Sequence, residues 1–357
     1  MTVQGSAVTF TEYSADIPKI VHSTDFTIDP NAIKEDQILI KALATPINPA
    51  DLMQLRGGYN DAPDIQLGTE PNDKPLHVGG NDGVFKVVKA GSGSKASKYK
   101  EGDLVIPKLP AFGTWRTYAI AGADDVINVN GLTVEQAATI SVNPATAYQL
   151  LHNYVSDWKE GDYVIQNSGT SQVSRYVSQI AKLDGVKTIS VVRDGKSQEE
   201  IDELKKFGAE HVISHSEFND EKFDITKYTK GAPVRLAFNG SGDSTVAHLV
   251  KSLSQKGQLL SYGFLGGAEI KYSAVDQFAK DLVTRRYWLT ANTYADPEGK
   301  VDTIKRLVEL YSSGKIKDVP YNKVHYKQGG NEEISKVFLE GLANFKNGKG
   351  KQVLFYD

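Results

Sequence analysis

Residues 162–194 contain the side chains whose types and spacing point most directly to chemistry. A short apolar run at 163–165 leads into a small polar turn at 167–171. An amphipathic segment follows, and a second apolar run lies at 188–192. The order strand, turn, helix and strand is that of the βαβ unit, which binds a dinucleotide at its first turn. This stretch therefore predicts a dinucleotide site.

The turn and the end of the second run indicate which dinucleotide is bound. The glycine fingerprint is degenerate, because only Gly169 remains and Thr170, Ser171 and Ser174 occupy small-residue positions. Arg193 follows the second apolar run, where an NAD site usually has an acidic residue for the ribose 2′-hydroxyl. An arginine there accommodates the 2′-phosphate of NADP. The alternative is a solvated charge at a strand end, and the upstream turn favours NADP(H).

The composition is that of a soluble globular protein. The 357 residues suggest two domains, with 40% hydrophobic and 24% charged residues. The formal net charge of −3 provides no global basic field for nucleic acid or anionic membrane. No apolar run approaches the ~18–20 residues needed to cross a bilayer. Residues 1–13 resemble neither a signal sequence nor an organelle presequence, although a presequence could have been removed.

The sequence also limits metal and thiol chemistry. It contains no cysteine, which excludes disulfides, a cysteine nucleophile and a thiolate zinc site. Of the seven histidines, only His211 and His215 have i, i+4 spacing, and they flank a strand-like segment. We interpret them as solvated or edge residues and expect no bound metal.

The hydrophobic periodicity changes near residue 130. Before it, alternating runs separated by Gly, Pro and Asn turns predict strands at residues 6–10, 37–43, 84–88, 104–106 and 117–120. Thr133 can cap a helix that begins at Val134 and breaks before Pro144, and a second helix is predicted over 145–155.

Strands and helices then alternate, which predicts a parallel, doubly wound sheet. Helices are predicted at 197–207, 244–253 and 301–312, and further strands at 211–213, 234–238 and 258–262. The apolar residues 351–355 have no helical partner after them, and we expect this strand to return to the first domain's sheet. The predicted class is α/β, with a Rossmann-type domain inserted into a β-rich one.

Several motifs, taken in order, resemble one family over essentially the whole chain. They are Pro46-Ile47-Asn48-Pro49-Ala50-Asp51, Gly57-Gly58-Tyr59, Gly79-Gly80-Asn81-Asp82-Gly83, Gly113-Thr114-Trp115-Arg116, Ser141-Val142-Asn143-Pro144, Gln166-Asn167, Val192-Arg193-Asp194 and Gly350-Lys351-Gln352. The arrangement is similar to the medium-chain dehydrogenase/reductase superfamily, and these motifs resemble its mitochondrial 2-enoyl thioester reductases. The turn Asn167-Ser168-Gly169-Thr170-Ser171-Gln172-Val173-Ser174 looks most like the fungal members.

The resemblance implies a fold, an activity and partners. It implies a GroES-like β-rich catalytic domain over 1–140 and 291–357 and a Rossmann-type NADP(H)-binding domain over 141–290. The implied activity is NADPH-dependent reduction of the 2,3-double bond of trans-2-enoyl thioesters, on acyl carrier protein or coenzyme A. The family is zinc-free, acts in mitochondrial fatty acid synthesis and forms homodimers through the nucleotide domain. The implied protein is an oxidoreductase of the mitochondrial matrix, with no membrane insertion and no nucleic-acid partner.

The resemblance also assigns site residues. Tyr59 falls at the proton-donor position. The cofactor positions are Asn143 at the nicotinamide side, Thr170, Ser171, Gln172 and Val173 in the phosphate turn, Arg193 and Asp194 at the 2′-phosphate, Tyr262, Gly263, Phe264 and Leu265, Tyr287, Trp288 and Leu289 in the nicotinamide pocket, and Lys351.

Three positions depart from the family pattern. Phe264 replaces a glycine and adds bulk near the predicted cofactor. Gly195 stands where the family often has a second arginine, which weakens the expected NADP preference without reversing it. The segment 239–244 lacks the family's lysine.

The residues also allow a chemical interpretation. Reducing an enoyl thioester requires hydride at C3, a proton at C2 and stabilisation of charge on the thioester oxygen. The Tyr59 hydroxyl could donate the proton from a flexible loop after Gly57-Gly58, although its ordinary pKa near 10 requires help from its surroundings. Trp115 could present its indole N–H to the same oxygen or pack in the core. Asn48 and Asn143 each precede a proline, and either form turns or bind the nicotinamide or its ribose.

Two other functions remain open from the sequence alone. A quinone or 2-alkenal reductase of the same superfamily also uses NADPH and no metal, but needs no tyrosine acid. A catalytically silent scaffold or RNA-binding protein could retain the cofactor fold, although the acidic balance argues against nucleic acid.

Overall fold

The computed structural model describes residues 1–58, 62–70 and 74–357. These form two compact units. Unit 1 comprises Met1–Val142, Thr293–Ser313 and Pro320–Asp357, and unit 2 comprises Asn143–Asn292 and Gly314–Val319. The helices within the described residues all lack the length and apolar character needed to cross a membrane.

The strands, in chain order, are β1 (Val3–Phe10), β2 (Val21–Ile28), β3 (Gln37–Ile47), β4 (Asp64–Ile65), β5 (Leu76–Val78), β6 (Val84–Ala90), β7 (Leu104–Pro107), β8 (Tyr118–Gly122), β9 (Val126–Asn128), β10 (Tyr163–Gln166), β11 (Lys187–Val192), β12 (Ala209–Ser214), β13 (Val234–Asn239), β14 (Gln258–Ser261), β15 (Val283–Arg286), β16 (Asn322–Tyr326) and β17 (Gln352–Tyr356).

The helices are α1 (Ile17–Ile20), α2 (Pro49–Leu55), α3 (Val134–Thr139), α4 (Asn143–His152), α5 (Gln172–Leu183), α6 (Gln198–Lys206), α7 (His215–Phe218), α8 (Thr226–Thr229), α9 (Thr245–Ser252), α10 (Ala274–Lys280), α11 (Leu289–Ala295), α12 (Pro297–Ser312) and α13 (Ile334–Lys346).

Unit 1 is built on two sheets. A four-stranded sheet has the order β2-β1-β5-β4, and a larger one has the order β16-β17-β3-β6-β7-β9, with β8 also paired to β3. The predicted return of the C-terminal strand is confirmed, because β17 pairs antiparallel with β3 at Gln352↔Ile47. Trp115 and Phe338 of α13 meet in the core, with ring centroids 4.3 Å apart. The end of the chain therefore completes a sheet begun near residue 37.

Unit 2 confirms the doubly wound parallel sheet. Its strand order is β12-β11-β10-β13-β14-β15, and all neighbouring pairs are parallel. All four residues of β10 are buried, as expected where helices cover both faces of a parallel sheet. The helix α5 buries an apolar face that includes Val173, Val177 and Ile180.

The helices near residue 140 begin close to their predicted starts but end earlier, because α3 ends at Thr139 rather than before Pro144 and α4 ends at His152 rather than at residue 155. The helix α3 begins after Thr133, whose side chain accepts a hydrogen bond from the Gln136 N–H at 3.2 Å. The next helix begins at Asn143, two residues before its predicted start. Pro144 lies in its first turn, where the missing N–H removes no helical hydrogen bond.

Candidate functional site

The predicted cofactor residues of unit 2 lie where its parallel strands end. Because the carboxyl ends of parallel strands share one edge, that edge is where a doubly wound sheet binds its ligand. The residues that follow the strands are the turn Thr170–Val173 after β10, Arg193 and Asp194 after β11, Tyr262–Leu265 after β14 and Tyr287–Leu289 after β15. The structure thus brings together at one sheet edge residues that are more than 100 positions apart in sequence.

The turn after β10 lies close against β11. The Gly169 N–H donates to the Val191 carbonyl at 2.9 Å, and a Cβ at Gly169 would lie 2.9 Å from the same oxygen. Ser171 caps α5, its hydroxyl accepting from the Ser174 N–H at 3.2 Å. Thr170 is exposed and Val173 is buried. This geometry directs the N-terminus of a 12-residue helix at the edge, which suits a phosphate group.

Asn167 is a residue that the sequence analysis quoted in a motif without giving it a role. It is fully buried, and its Nδ2 donates to Asn239 Oδ1 and Thr245 Oγ1, both at 3.0 Å. Its Oδ1 accepts from the Gly240 N–H at 2.6 Å. Asn167 therefore fixes the loop after β13 beside the turn after β10. The available signal was the position of Asn167 as the first residue of the polar turn that follows the apolar run.

The two charged residues after β11 differ in their surroundings. Asp194 Oδ1 accepts from the Ser216 N–H at 3.0 Å and from the Ser216 hydroxyl at 2.7 Å. These hydrogen bonds hold the pKa of Asp194 below its usual value. Arg193 is exposed and, within the described part of the chain, has no ion-pair partner. The carboxylate is thus tied to α7, while the guanidinium remains available to an anion.

The aromatic residues after β14 and β15 are held in different ways. The Tyr262 N–H donates to the Asn239 carbonyl at 2.9 Å, and burial raises the pKa of its hydroxyl. Tyr287 is buried and its hydroxyl donates to Gln149 Oε1 at 3.0 Å. Phe264, the departure from the family glycine, is 55% exposed. Its ring is therefore largely turned to solvent within unit 2.

Of the remaining predicted residues of this region, Leu265 is 68% exposed and the others are half-buried or buried. Trp288 and Leu289 are half-buried, and the Arg286 guanidinium lies 5.4 Å from the Trp288 ring centroid. Asn143 begins α4 and is 9% exposed.

In unit 1, Asn48 and Lys351 meet at the junction of β3, α2 and β17. Asn48 is 1% exposed and precedes α2, where its N–H donates to Asp51 Oδ2 at 2.7 Å. The Lys351 ammonium group donates to Asn48 Oδ1. Asn48 thus serves as a structural cap and as the partner of a buried lysine, while its contact with the nicotinamide or its ribose stays a prediction.

Further buried polar residues surround this pair, and the sequence analysis gave them no role. Asp51 Oδ1 accepts from the backbone N–H of Asn81 at 3.1 Å and from its Nδ2 at 2.6 Å. The adjacent Asp82 is 0% exposed, and its carboxylate is attracted by Lys351 and Lys300. Lys300 of α12 is 3% exposed and donates to the Ser141 carbonyl. Two acids and two lysines are therefore buried in unit 1.

Burial and the attraction between opposite charges have opposite effects on the pKa values of these four residues. Burial raises the pKa of Asp82 to about 7, against the attraction of Lys351 and Lys300. Burial lowers the pKa of Lys351 to about 8, against the attraction of Asp82 and Asp51. The pKa of Lys300 is lowered to about 8 in the same way. Groups with such pKa values change charge near physiological pH, which is a common property of functional sites.

Trp115 and Tyr59 were the predicted catalytic residues. Trp115 is fully buried, and its indole N–H donates to the Pro46 carbonyl at 3.3 Å. Its ring also lies against Gly79, where a Cβ would approach it to 2.5 Å. These contacts favour the core-packing alternative for Trp115. Tyr59 lies outside the described residues.

The chain resembles two domain families of known type. The family described as "Zinc-binding dehydrogenase" matches residues 173–306, and "Alcohol dehydrogenase GroES-like domain" matches residues 34–131. The donors present do not fit zinc, because the chain has no cysteine and its described residues contain no cluster of three potential metal ligands. The fold and site define a reductase of the medium-chain dehydrogenase/reductase superfamily.

Curated relatives narrow the class further. The mitochondrial enoyl-acyl-carrier-protein reductase 1 of Debaryomyces hansenii is 40% identical over 99% of both chains. An NADPH quinone oxidoreductase of Kluyveromyces marxianus is 38% identical and covers 88% of this chain and 84% of its own. The chain belongs to the family of fungal mitochondrial enoyl-acyl-carrier-protein reductases, as the sequence motifs predicted.

Solved structures agree with this assignment. The complex of Etr1p with NADP and crotonyl-CoA has a TM-score of 0.91 and 32% identity, covering 99% of this chain and 100% of its own. The Etr1p/Etr2p heterodimer of Candida tropicalis, described as a mitochondrial 2-enoyl thioester reductase, has a TM-score of 0.91 and 32% identity, with the same coverage of the two chains.

Proposed function

We propose that this protein reduces the 2,3-double bond of trans-2-enoyl thioesters with NADPH. The observation that carries the proposal is the 40% identity to an enoyl-acyl-carrier-protein reductase over 99% of both chains. The reaction adds hydride to C3 and a proton to C2, converting the enoyl group to a saturated acyl group. NADPH, when bound, supplies the hydride.

The carboxyl edge of the unit 2 sheet supports the choice of cofactor. The N-terminus of α5 would bind phosphate groups through backbone N–H groups. Arg193 would bind the 2′-phosphate, since an arginine makes charge-assisted hydrogen bonds to phosphate and NADH has no such group. Gln172, Asn143 and the residues after β14 and β15 are also proposed to contact the cofactor. In unit 1, the same is proposed of Asn48 and Lys351.

Tyr59 is the proposed proton donor. Negative charge develops on the thioester oxygen as hydride arrives, and the reaction is completed by protonation at C2. A positioned tyrosine hydroxyl can supply that proton. Trp115 contributes by packing the core beneath Gly79 and Gly80, since its N–H is already used by Pro46.

Quinone reduction is a second candidate, because one relative with 38% identity is an NADPH quinone oxidoreductase. It shares the NADPH site and requires no proton donor at the position of Tyr59. The two functions therefore differ in the electron acceptor and in their dependence on that tyrosine.

The test of the proposal is NADPH oxidation with a series of trans-2-enoyl thioesters, on coenzyme A and on acyl carrier protein, beside a quinone. We expect turnover of the thioesters and formation of the saturated acyl product, identified by mass spectrometry. Quinone turnover without any thioester turnover would reject the proposal in favour of the second candidate.

We also propose that the protein forms a homodimer through β15 of unit 2. All four residues of β15 are exposed, and the strand ends the sheet. In the helix just before it in the chain, Val275 and Phe278 of α10 are 74% and 92% exposed. An exposed edge strand next to apolar side chains suits pairing with a second copy across a two-fold axis. The paired chains of the Etr1p/Etr2p heterodimer support this proposal.

The names of the relatives support a mitochondrial location. Expression of the full-length gene product with a C-terminal fluorescent tag, followed by co-localisation with a mitochondrial matrix marker, tests this. A signal confined to the cytosol would contradict it.

A further inference from the structure

The hydrogen bond from Lys351 fixes the orientation of the Asn48 side-chain amide. The Lys351 ammonium group donates to Asn48 Oδ1, and an ammonium group has three donors and no acceptor. The amide oxygen must therefore face Lys351, and the amide nitrogen must face away from it. The Asn48 backbone is fixed as well, because its N–H donates to Asp51 Oδ2 at 2.7 Å.

This orientation leaves the Asn48 Nδ2 group buried and without a hydrogen-bond partner in the described part of the chain. An unpaired buried polar group costs on the order of 1–3 kcal/mol, and a catalytic role is one of the explanations for such a group in a folded protein. A donor of this kind fits an oxygen acceptor on the ligand. The carboxamide of NADPH and the thioester of the substrate each carry one.

Acidic groups on two elements hold the Lys351 ammonium group in its charged form. Asp51 lies on α2, and Asp82 lies in the loop between β5 and β6. Both attract Lys351. Lys300 of α12 in turn attracts Asp82. Asp51 accepts hydrogen bonds from Asn48 and Asn81. Asp82 acts on Lys351 through its charge.

We propose that Lys351 has a positioning role besides its proposed cofactor contact: its ammonium group orients the Asn48 amide toward a carbonyl oxygen of the ligand, and Asp82 maintains that charge. This proposal rests on the proposed function, and it assigns roles in that function to residues of unit 1. A neutral Lys351 amine could accept a hydrogen bond from Nδ2, which would let the amide rotate and withdraw its donor. Activity therefore declines as pH rises through the pKa of Lys351, which burial sets at about 8.

The decisive experiment is the pH profile of kcat/KM for the parent protein and Asp82→Asn. Removing the carboxylate lowers the pKa of Lys351, so the alkaline decline should move down by about one pH unit, which is roughly a fivefold loss at pH 8 and approaches tenfold at higher pH. Asp162→Asn is the matched control, since Asp162 is 4% exposed and pairs with Arg235 in unit 2. The control should leave the position of the decline unchanged.

Two further variants keep the proposal testable if Asp82→Asn does not fold. Lys351→Arg retains a permanent charge, so its alkaline decline should disappear from the accessible pH range. Lys351→Met should have low activity that no longer declines at alkaline pH. The Kd of NADPH and the KM of the enoyl thioester, each measured as a function of pH, show which carbonyl group Asn48 contacts. Only the constant of the ligand that Asn48 contacts should rise as Lys351 loses its proton.

An alkaline decline at the same pH in parent and Asp82→Asn would overturn the proposal, as would full activity of Lys351→Met. A purely structural role for Asp82 predicts a uniform loss at every pH. Titration of the Lys351 ammonium by ¹⁵N NMR in the ligand-free protein requires no turnover. It separates failure of this mechanism from failure of the proposed function, which would appear as a parent inactive on every thioester.

Discussion

At the scale of single residues, charge decides the proposed choice between NADPH and NADH. Arg193 is exposed at the end of β11, and the neighbouring Asp194 is hydrogen-bonded to Ser216. Gly195, which replaces a second arginine of the family pattern, leaves most of the discrimination to Arg193.

Substitution Arg193→Ala should weaken NADPH binding much more than NADH binding. Only NADPH loses a charge-assisted partner, a loss on the order of 1.5–3 kcal/mol. Fluorescence titration with both cofactors measures the difference. An equal change in the two Kd values would show that Arg193 does not contact the 2′-phosphate.

Substitution Tyr59→Phe removes one oxygen and keeps the ring, so folding and NADPH affinity should persist. The rate on enoyl thioesters should fall by roughly 10²–10⁴, the usual contribution of a positioned proton donor. Substrate binding should change less, because the hydroxyl acts once charge has developed. Near-parental turnover, with a deuteride isotope effect showing that the chemical step limits the rate, would refute this role.

At the scale of elements, the turn before α5 depends on close approach to β11. Gly169 hydrogen-bonds Val191 and leaves room for no side chain, because a Cβ would lie 2.9 Å from Val191 O and 3.0 Å from Ser190 Cβ. This contact sets the distance between the helix N-terminus and the end of β11, where Arg193 lies. The surviving glycine of the degenerate fingerprint is thus explained by packing.

Substitution Gly169→Ala should lower the free energy of unfolding by roughly 1–3 kcal/mol through overpacking and should weaken NADPH binding as the turn moves. Urea denaturation and cofactor titration measure the two effects. Thr170→Ala, at an exposed neighbouring position, should change stability by no more than about 0.5 kcal/mol. Equal stability of Gly169→Ala and the parent would show that the close approach is unimportant.

At the scale of the whole molecule, the exposed edge of unit 2 matters most. The proposed homodimer would cover β15 and the apolar side chains of α10, which otherwise stay in water. Pairing of β15 with its copy would extend the six-stranded sheet of unit 2 into a continuous sheet through the dimer.

Substitution Phe278→Glu should raise the dimer Kd by roughly tenfold or more, equivalent to about 1.4 kcal/mol, because it places charge in the proposed interface. Analytical ultracentrifugation over a concentration series measures this. Leu183→Glu, at a 43% exposed position on α5, is the control and should not change the assembly. A parent that is monomeric at all concentrations, or a Phe278→Glu dimer as tight as the parent, would contradict the interface.

The sequence alone determined the fold class, the family and the kind of cofactor. Periodicity marks strands and helices wherever one face is apolar, as in β10, α5 and β11, and the motif order covers the chain from Pro46 to Lys351. Local chemistry fixed these features, because each lies within a short stretch: a cap at Thr133, a turn at Gly169, a charge at Arg193.

Only the tertiary structure decided which polar residues are buried together. Asp51, Asp82, Lys300 and Lys351 belong to segments separated by up to 300 positions, and no local pattern distinguishes a buried lysine from a solvated one. Trp115 is a similar case, since its proposed chemistry depended on where its N–H points, and the fold directs it to Pro46. Burial and hydrogen-bond direction depend on non-local packing, so the charge of Lys351 and the orientation of Asn48 become definite only when the chain has folded.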